Sequence, residues 1–309
     1  MFSPAIADSD EGNNSGVIYN SVITPLPGNL PSIGFEATAF NEFGNAVNFS
    51  ADKNFELSKV IVSMSSWGCE SGSWYAKNCE TSEKASFTHP ITLNVYSPSV
   101  DGTNPGSKIA TVTKTFTIKY RPSASPLCTG GNLGKWYDNS SKTCFNGYLQ
   151  NITFDLKNVK VGSSAILGVT YNTSHYGYAP IGQSPACYGT SSGCGYDSLN
   201  VALSADPTDV TRGSSVVAGK LWLASAAAYN YADGGAAGVG TFRMDSPTAD
   251  AWWGIDYPYA AAPWYVPSIK VFGNQGNKDD KSEKKSEDKS VENKSSDSKS
   301  DGKPGVKKD

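Results

Sequence analysis

Six cysteines fall in three neighbouring pairs: Cys69 and Cys79, Cys128 and Cys144, Cys187 and Cys194. Six thiols allow 15 connectivities. The separations of 10, 16 and 7 residues favour the three local ones, each closing a short loop. The enclosed residues suit turns: Gly72 and Asn78 in the first, Gly130, Gly131 and Asn139 in the second, Gly189 and Gly193 in the third. On chain-entropy grounds each bridge contributes roughly 2–3 kcal/mol. Structural zinc requires ligand pairs spaced two to four residues apart, and none occurs. Free buried thiols are the other reading. An even count in loop-bounded pairs favours disulfides, and with them an oxidising compartment.

A chain of 309 residues holds one large domain or two small ones. Its charge is unevenly spread. Residues 278–309 carry 10 Lys and 9 acidic residues with almost nothing apolar. Such a segment buries too little surface to offset its ordering entropy, so 273–309 is expected to be a disordered, solvated tail or stalk. Without that tail the body is only about 13% charged, well below the average soluble domain. It is rich in Ser, Thr, Asn, Gly and Tyr, a make-up suited to extracellular β proteins. The net charge of −3 gives no basic field for nucleic acid or anionic lipid. No apolar run of about 18 residues occurs, so no transmembrane helix is expected. At the other end, Ala5-Ile6-Ala7 has the small-x-small pattern of a secretory cleavage site. Residues 1–16 therefore read as a signal-peptide remnant or flexible leader.

Short alternating segments rich in β-branched and aromatic residues run through 17–272. They are Val17–Val22, Ile33–Phe40, Ala46–Ser50, Leu57–Ser65, Ile91–Tyr96, Lys108–Lys119, Leu149–Leu156, Ala165–Asn172, Leu199–Leu203 and Lys220–Ala224. Pro, Gly, Asn and Asp separate them. This spacing, with no helical period between, predicts a single all-β domain: an antiparallel β-sandwich of jelly-roll type. Ser225–Tyr231 is the one stretch that also reads as a short helical turn.

A set of segments, in order, carries a family resemblance. They include Ser65-Ser66-Trp67-Gly68-Cys69, His89-Pro90-Ile91-Thr92-Leu93-Asn94-Val95-Tyr96 and Thr115-Phe116-Thr117-Ile118-Lys119-Tyr120-Arg121-Pro122-Ser123. Further along come Lys135-Trp136-Tyr137-Asp138, Cys144-Phe145-Asn146-Gly147, Tyr171-Asn172-Thr173-Ser174-His175-Tyr176-Gly177, Tyr196-Asp197-Ser198-Leu199-Asn200-Val201 and Gly240-Thr241-Phe242-Arg243. Over most of 17–245 the chain resembles an uncharacterised family of secreted, largely actinobacterial, cell-surface proteins. The resemblance implies export and an all-β fold, and no particular activity.

Catalytic motifs are not found. There is no nucleophile elbow, zinc-protease motif, phosphate loop or dinucleotide fingerprint. His175 with Asp197 suggests a triad only because serines are abundant; a hydrogen-bonded structural histidine is the simpler reading. His89, ahead of Pro90, reads as a strand-start residue. Glu36, Glu70, Glu80, Asp138, Asp155, Asp197 and Asp245 are candidate acids, but glycosidase chemistry needs two of them facing across a cleft. None is assigned. No metal site or cofactor is predicted; structural calcium needs only oxygen ligands, yet Asp233-Gly234-Gly235 is a weak loop for it.

Aromatic residues are the suggestive feature. Trp67, Trp74, Tyr75, Trp136 and Tyr137 lie in or beside the first two loops, and Tyr171, Tyr176, Tyr178, Tyr188 and Tyr196 surround the third. Another cluster occupies Trp252, Trp253, Tyr257, Tyr259, Trp264 and Tyr265. Flat rings on rigid loops stack against sugars or partners at small entropic cost. Trp74, Trp136, Tyr176, Tyr178 and Tyr188 are the candidate ligand contacts. The alternative is that the rings pack against the bridges and seal the sandwich. The expected function is a secreted or surface-attached, non-enzymatic module that binds a glycan or protein. A structural spacer or coat domain and a secreted polysaccharide hydrolase are the alternatives.

Overall fold

A computed structural model describes residues 16–34, 40–50, 53–74, 76–99, 105–171, 198–216, 221–225, 251–253 and 264–276. The chain divides into two units, Met1–Asn277 and Lys278–Asp309, and every described residue lies in the first. In chain order the strands are β1 (Gly16–Asn20), β2 (Ser32–Gly34), β3 (Phe40–Asn48), β4 (Phe55–Ser66), β5 (Ser86–Pro98) and β6 (Pro105–Lys119). Next come β7 (Trp136–Asp138), β8 (Thr143–Phe145), β9 (Tyr148–Val161), β10 (Ser164–Thr170) and β11 (Leu199–Asp206). The last are β12 (Ser214–Ser215), β13 (Leu221–Ser225), β14 (Ala251–Trp253), β15 (Trp264–Pro267) and β16 (Ile269–Gln275). No α-helix occurs among the described residues, and none of their segments is a helix long and apolar enough to cross a membrane.

The described strands form two seven-stranded antiparallel sheets that pack face to face. The first runs β1-β16-β4-β11-β15, with β2 also on β11 and β9 along the other side of β4. The second runs β14-β13-β3-β10-β5-β6, with β12 on β3. A two-stranded hairpin of β7 and β8 stands apart. The expected all-β sandwich is therefore what forms, and most predicted strands overlap observed ones. The stretch read as one strand over Ile33–Phe40 instead takes in the end of β2 and the start of β3. β7, β8, β12, β14, β15 and β16 fall outside every predicted strand, although β16 sits between β1 and β4. Between the sheets lies one continuous core. From the first sheet it takes Leu57, Val60, Val62, Met64, Ile152, Phe154, Val201 and Val271; from the second Phe43, Val47, Ile91, Leu93, Val95, Leu167 and Val169. Phe116 of β6 meets Phe154 of β9 edge-on at 5.0 Å, joining the sheets at one margin.

Alternation in the first sheet breaks once, at the same level in three strands. On β4 the inward residues pass from Phe55 and Leu57 to Val60, Val62 and Met64, a change of parity. On β9 they pass from Ile152, Phe154 and Leu156 to Val159 and Val161. The pairing slips there: Leu57 faces Val159, but Lys59 faces Asp155. Lys157 (φ 48°) and Asn158 (φ 62°) take up the extra length in left-handed conformations, where Asn is one of the few residues at ease. On β16 the slip falls between Phe272 and Gly273, and a Cβ at Gly273 would lie 2.8 Å from the Glu56 carbonyl oxygen. These coordinated bulges keep an apolar face inward where strict alternation would turn it out.

His89 is corrected by the structure. It stands inside β5 rather than at its start, fully buried on the core face and edge-on to Tyr171 at 5.6 Å. Pro90 follows it within the strand. Among the described residues β10 pairs with β5 over Thr92–Tyr96, and Pro90 has β6 as its ladder neighbour. A residue without an N–H is tolerated in an edge-like stretch of a strand.

Candidate functional site

One end of the sandwich carries a cap built from the two loops that the structure shows to be disulfide-bonded. β4 leads into residues 67–85, closed by Cys69–Cys79 with Cα atoms 5.4 Å apart. Ser71 and Glu80 pair backbone to backbone inside it, and Asn78 Oδ1 accepts from Ser73 N–H at 2.9 Å. Gly72, at φ +71°, lies so close to the Asn78 carbonyl that no side chain fits. The second loop is closed by Cys128–Cys144, Cα atoms 5.9 Å apart, and holds the β7–β8 hairpin. Asp138 ties the hairpin turn by accepting from the hydroxyls and amides of Ser140 and Ser141. Those donors hold its carboxyl down to about 2. Both pairings are the ones the spacing predicts; the third pair, Cys187 and Cys194, lies outside the described residues.

A strap, residues 120–126, stitches the two loops together. Tyr120 N–H donates to Ala85 O, Arg121 N–H to Gly68 O and Ala124 N–H to Cys79 O, all within 3.2 Å. Thr81 N–H donates to Ser123 Oγ at 2.9 Å, and Ser123 Oγ donates back to Thr81 O at 3.1 Å. On the other side Ser125 N–H reaches Lys135 O at 2.8 Å. Arg121 is fully buried here. Its Nη2 donates to Gly134 O at 2.7 Å, its Nε to Pro122 O at 3.4 Å, and Nη1 has no hydrogen-bond partner. Burial pulls its pKa down to about 10. Gly134 (φ +87°) presses on the Lys77 side chain, so the two loops touch directly at a point where only glycine fits.

Between the first loop and the strap lies an open groove of about 590 Å³. Tyr120, Tyr148, Pro122 and Pro126 supply most of its apolar surface, and its charges are Lys119 and the exposed pair Lys84 and Glu83, 3.8 Å apart. Tyr120 is braced from behind by Phe87, ring centres 5.0 Å apart, and Tyr148 by Trp136 at 5.6 Å. Thr81, Ser82, Ser123 and Ser125 add hydroxyls along it. Glu70 outside the groove accepts from Ser82 N–H at 2.6 Å, which lowers the Glu70 pKa and pins that wall. Two braced rings, hydroxyls and two amines suit binding by stacking and hydrogen bonding.

The predicted contacts are placed unevenly. Trp136 is 6% exposed, its Nε1 donating to Gly147 O at 2.7 Å and its ring against Phe145 and Tyr148. It is a brace within the cap, not an exposed platform. Trp74 is 37% exposed and stands edge-on to Trp67 at 5.0 Å, and neither it nor Trp136 lines the groove. Tyr176, Tyr178 and Tyr188 lie outside the described residues, as do His175, Glu36, Asp197 and Asp245. Among the other candidate acids, Asp155 sits 4.0 Å from Lys114 Nζ, while Asp138 and Glu70 serve turns. Among the described residues no three His, Cys, Asp or Glu gather as a metal centre.

A second polar cluster lies on the outer side of the second sheet. Glu42 is buried and accepts from Asn94 Nδ2 at 3.1 Å and from the Tyr96 hydroxyl at 3.0 Å. Asn94 Oδ1 in turn accepts from Thr111 Oγ1 at 2.8 Å. Gly168 runs directly beneath the carboxylate, where any Cβ would collide with it. Sequence reading missed Glu42, Tyr120, Tyr148 and Arg121. The signal for the strap was present: Tyr120-Arg121-Pro122 follows an alternating run and enters Pro-Ser-Ala-Ser-Pro. No family model matches the chain, and no curated protein or solved structure matches it.

Proposed function

We propose that this chain is a secreted or cell-surface, non-enzymatic β-sandwich module that mediates binding or adhesion by holding a glycan or protein ligand in the groove of its disulfide-stapled cap. The observation that carries this reading is the braced tyrosine pair, Tyr120 and Tyr148, on a surface fixed by two bridges and a buried arginine. Rigid walls lose little entropy when they bind, and tyrosine gives large contact area with two rotatable bonds. Two structural disulfides support an oxidising compartment, which accords with the resemblance to secreted surface proteins.

The test is a glycan array and a pull-down from extracellular material, run with the full chain and with a Tyr120→Ala, Tyr148→Ala variant. Truncating two central aromatic contacts costs about 2 kcal/mol or more, roughly a 30-fold loss for whatever ligand is found. A ligand retained equally by the variant places the site elsewhere. Blank results in both assays favour the spacer or coat role.

A further inference from the structure

We propose that β6 is an acceptor edge for an extended acidic polypeptide segment, which adds to the second sheet as a further antiparallel strand. Among the described residues β6 ends that sheet: β5 is its ladder partner on one side and no strand pairs with the other, where β9 of the first sheet touches it through Gln150, Thr153 and Phe154. It is 15 residues long and mostly exposed, and an edge strand leaves alternate backbone amides and carbonyls outside the ladder. Gln150 closes only the last residue, accepting from Lys119 N–H at 3.1 Å and donating to Lys119 O at 3.4 Å. Only a polypeptide in extended form offers donors and acceptors at the matching repeat.

Charge selects the partner. β6 carries Lys108, Lys114 and Lys119 and no acid. Two copies of this edge brought together would set three cations against three, which disfavours self-pairing. The same lysines attract an acidic strand. Lys114 has local partners, Thr153 O at 3.2 Å and Asp155 at 4.0 Å, which leaves Lys108 and Lys119 as the principal attractors. Thr111, Thr113, Thr115 and Thr117 project from one face at alternate positions, all exposed and uncharged. They favour extended pairing and fold no long chain over the edge. The edge also ends at Lys119, which lines the groove, so a strand laid on β6 is led toward Tyr120. The inference goes beyond the groove reading, because it rests on the backbone of β6.

The probe is a labelled peptide of about ten residues alternating threonine and glutamate, a typical strand length or slightly more. Anisotropy titrations use the full oxidised chain. Binding is expected, and a fall of about tenfold or more when alternate peptide amides are N-methylated, which removes strand pairing while keeping charge. Lys108→Glu weakens binding, and a peptide alternating threonine and lysine does not bind. The Tyr120→Ala, Tyr148→Ala variant still binds the peptide, which separates this site from the groove. Absence of binding, equal affinity for the methylated peptide, or concentration-dependent self-association through β6 overturns the proposal.

Discussion

Arg121 is the residue on which the cap turns. Its guanidinium is taken out of water between the two loops, with Gly134 O and Pro122 O as acceptors. Removing it leaves buried carbonyls without donors and a void between strap and hairpin, so Arg121→Ala should destabilise the protein by about 2–4 kcal/mol. Urea unfolding followed by tryptophan fluorescence measures this, and an unchanged midpoint would dismiss the role. Asp138 gives a pH signature. Its folded pKa is about 2, below the ordinary 3.8, so its contribution is present above pH 3.8 and fades as pH falls toward 2. Because the group is exposed, solvent screening keeps the effect small. Asp138→Asn should lower stability at neutral pH and flatten the stability profile between about pH 4 and pH 2. Thermal melts over that range compare the two proteins; parallel profiles contradict the assignment. At Gly168 the requirement is space: Gly168→Ala drives a methyl into the Glu42 carboxylate and should cost about 1–3 kcal/mol, read by the same melts.

At the scale of elements, the bulge shared by β4, β9 and β16 decides which side chains reach the core. Deleting Asn158 removes the slack, reverses the parity of Val159 and Val161 and exposes them, so folding should be lost or stability should drop by more than about 3 kcal/mol. Asn158→Gly keeps the left-handed geometry and should change stability by less than about 1 kcal/mol. Equal effects in denaturant unfolding would show that the bulge is incidental. Strand positions were readable in the sequence because a half-buried strand writes its burial as alternation, as along Phe55–Leu57 and Ile91–Val95. The bulge was less readable: Asp155-Leu156-Lys157-Asn158-Val159 breaks the pattern, but whether two strands slip together depends on a partner about 100 positions away. His89 misled for a similar reason. A proline usually bounds a strand, and its tolerance inside β5 depends on which neighbours the strand has at that level, which local sequence does not encode.

For the molecule as a whole, the bridges were the most legible feature and the binding surface the least. Short spacings with turn residues determine local pairing with little help from the rest of the chain. A groove is assembled from segments that meet only in three dimensions, here Thr81–Ala85, Lys119–Pro126 and Tyr148. Trp74 and Trp136 stood out because of their residue type, yet the ring that is deepest in the cap braces Tyr148 while Tyr148 itself faces the groove. Composition gave no means of separating a brace from a contact. Oxidised, local staples hold the strap and both loops in place. Peptide mapping of the native protein without reductant tests this most directly. It should yield Cys69 linked to Cys79 and Cys128 linked to Cys144, whereas free thiols at these positions or a link between the two loops would contradict it.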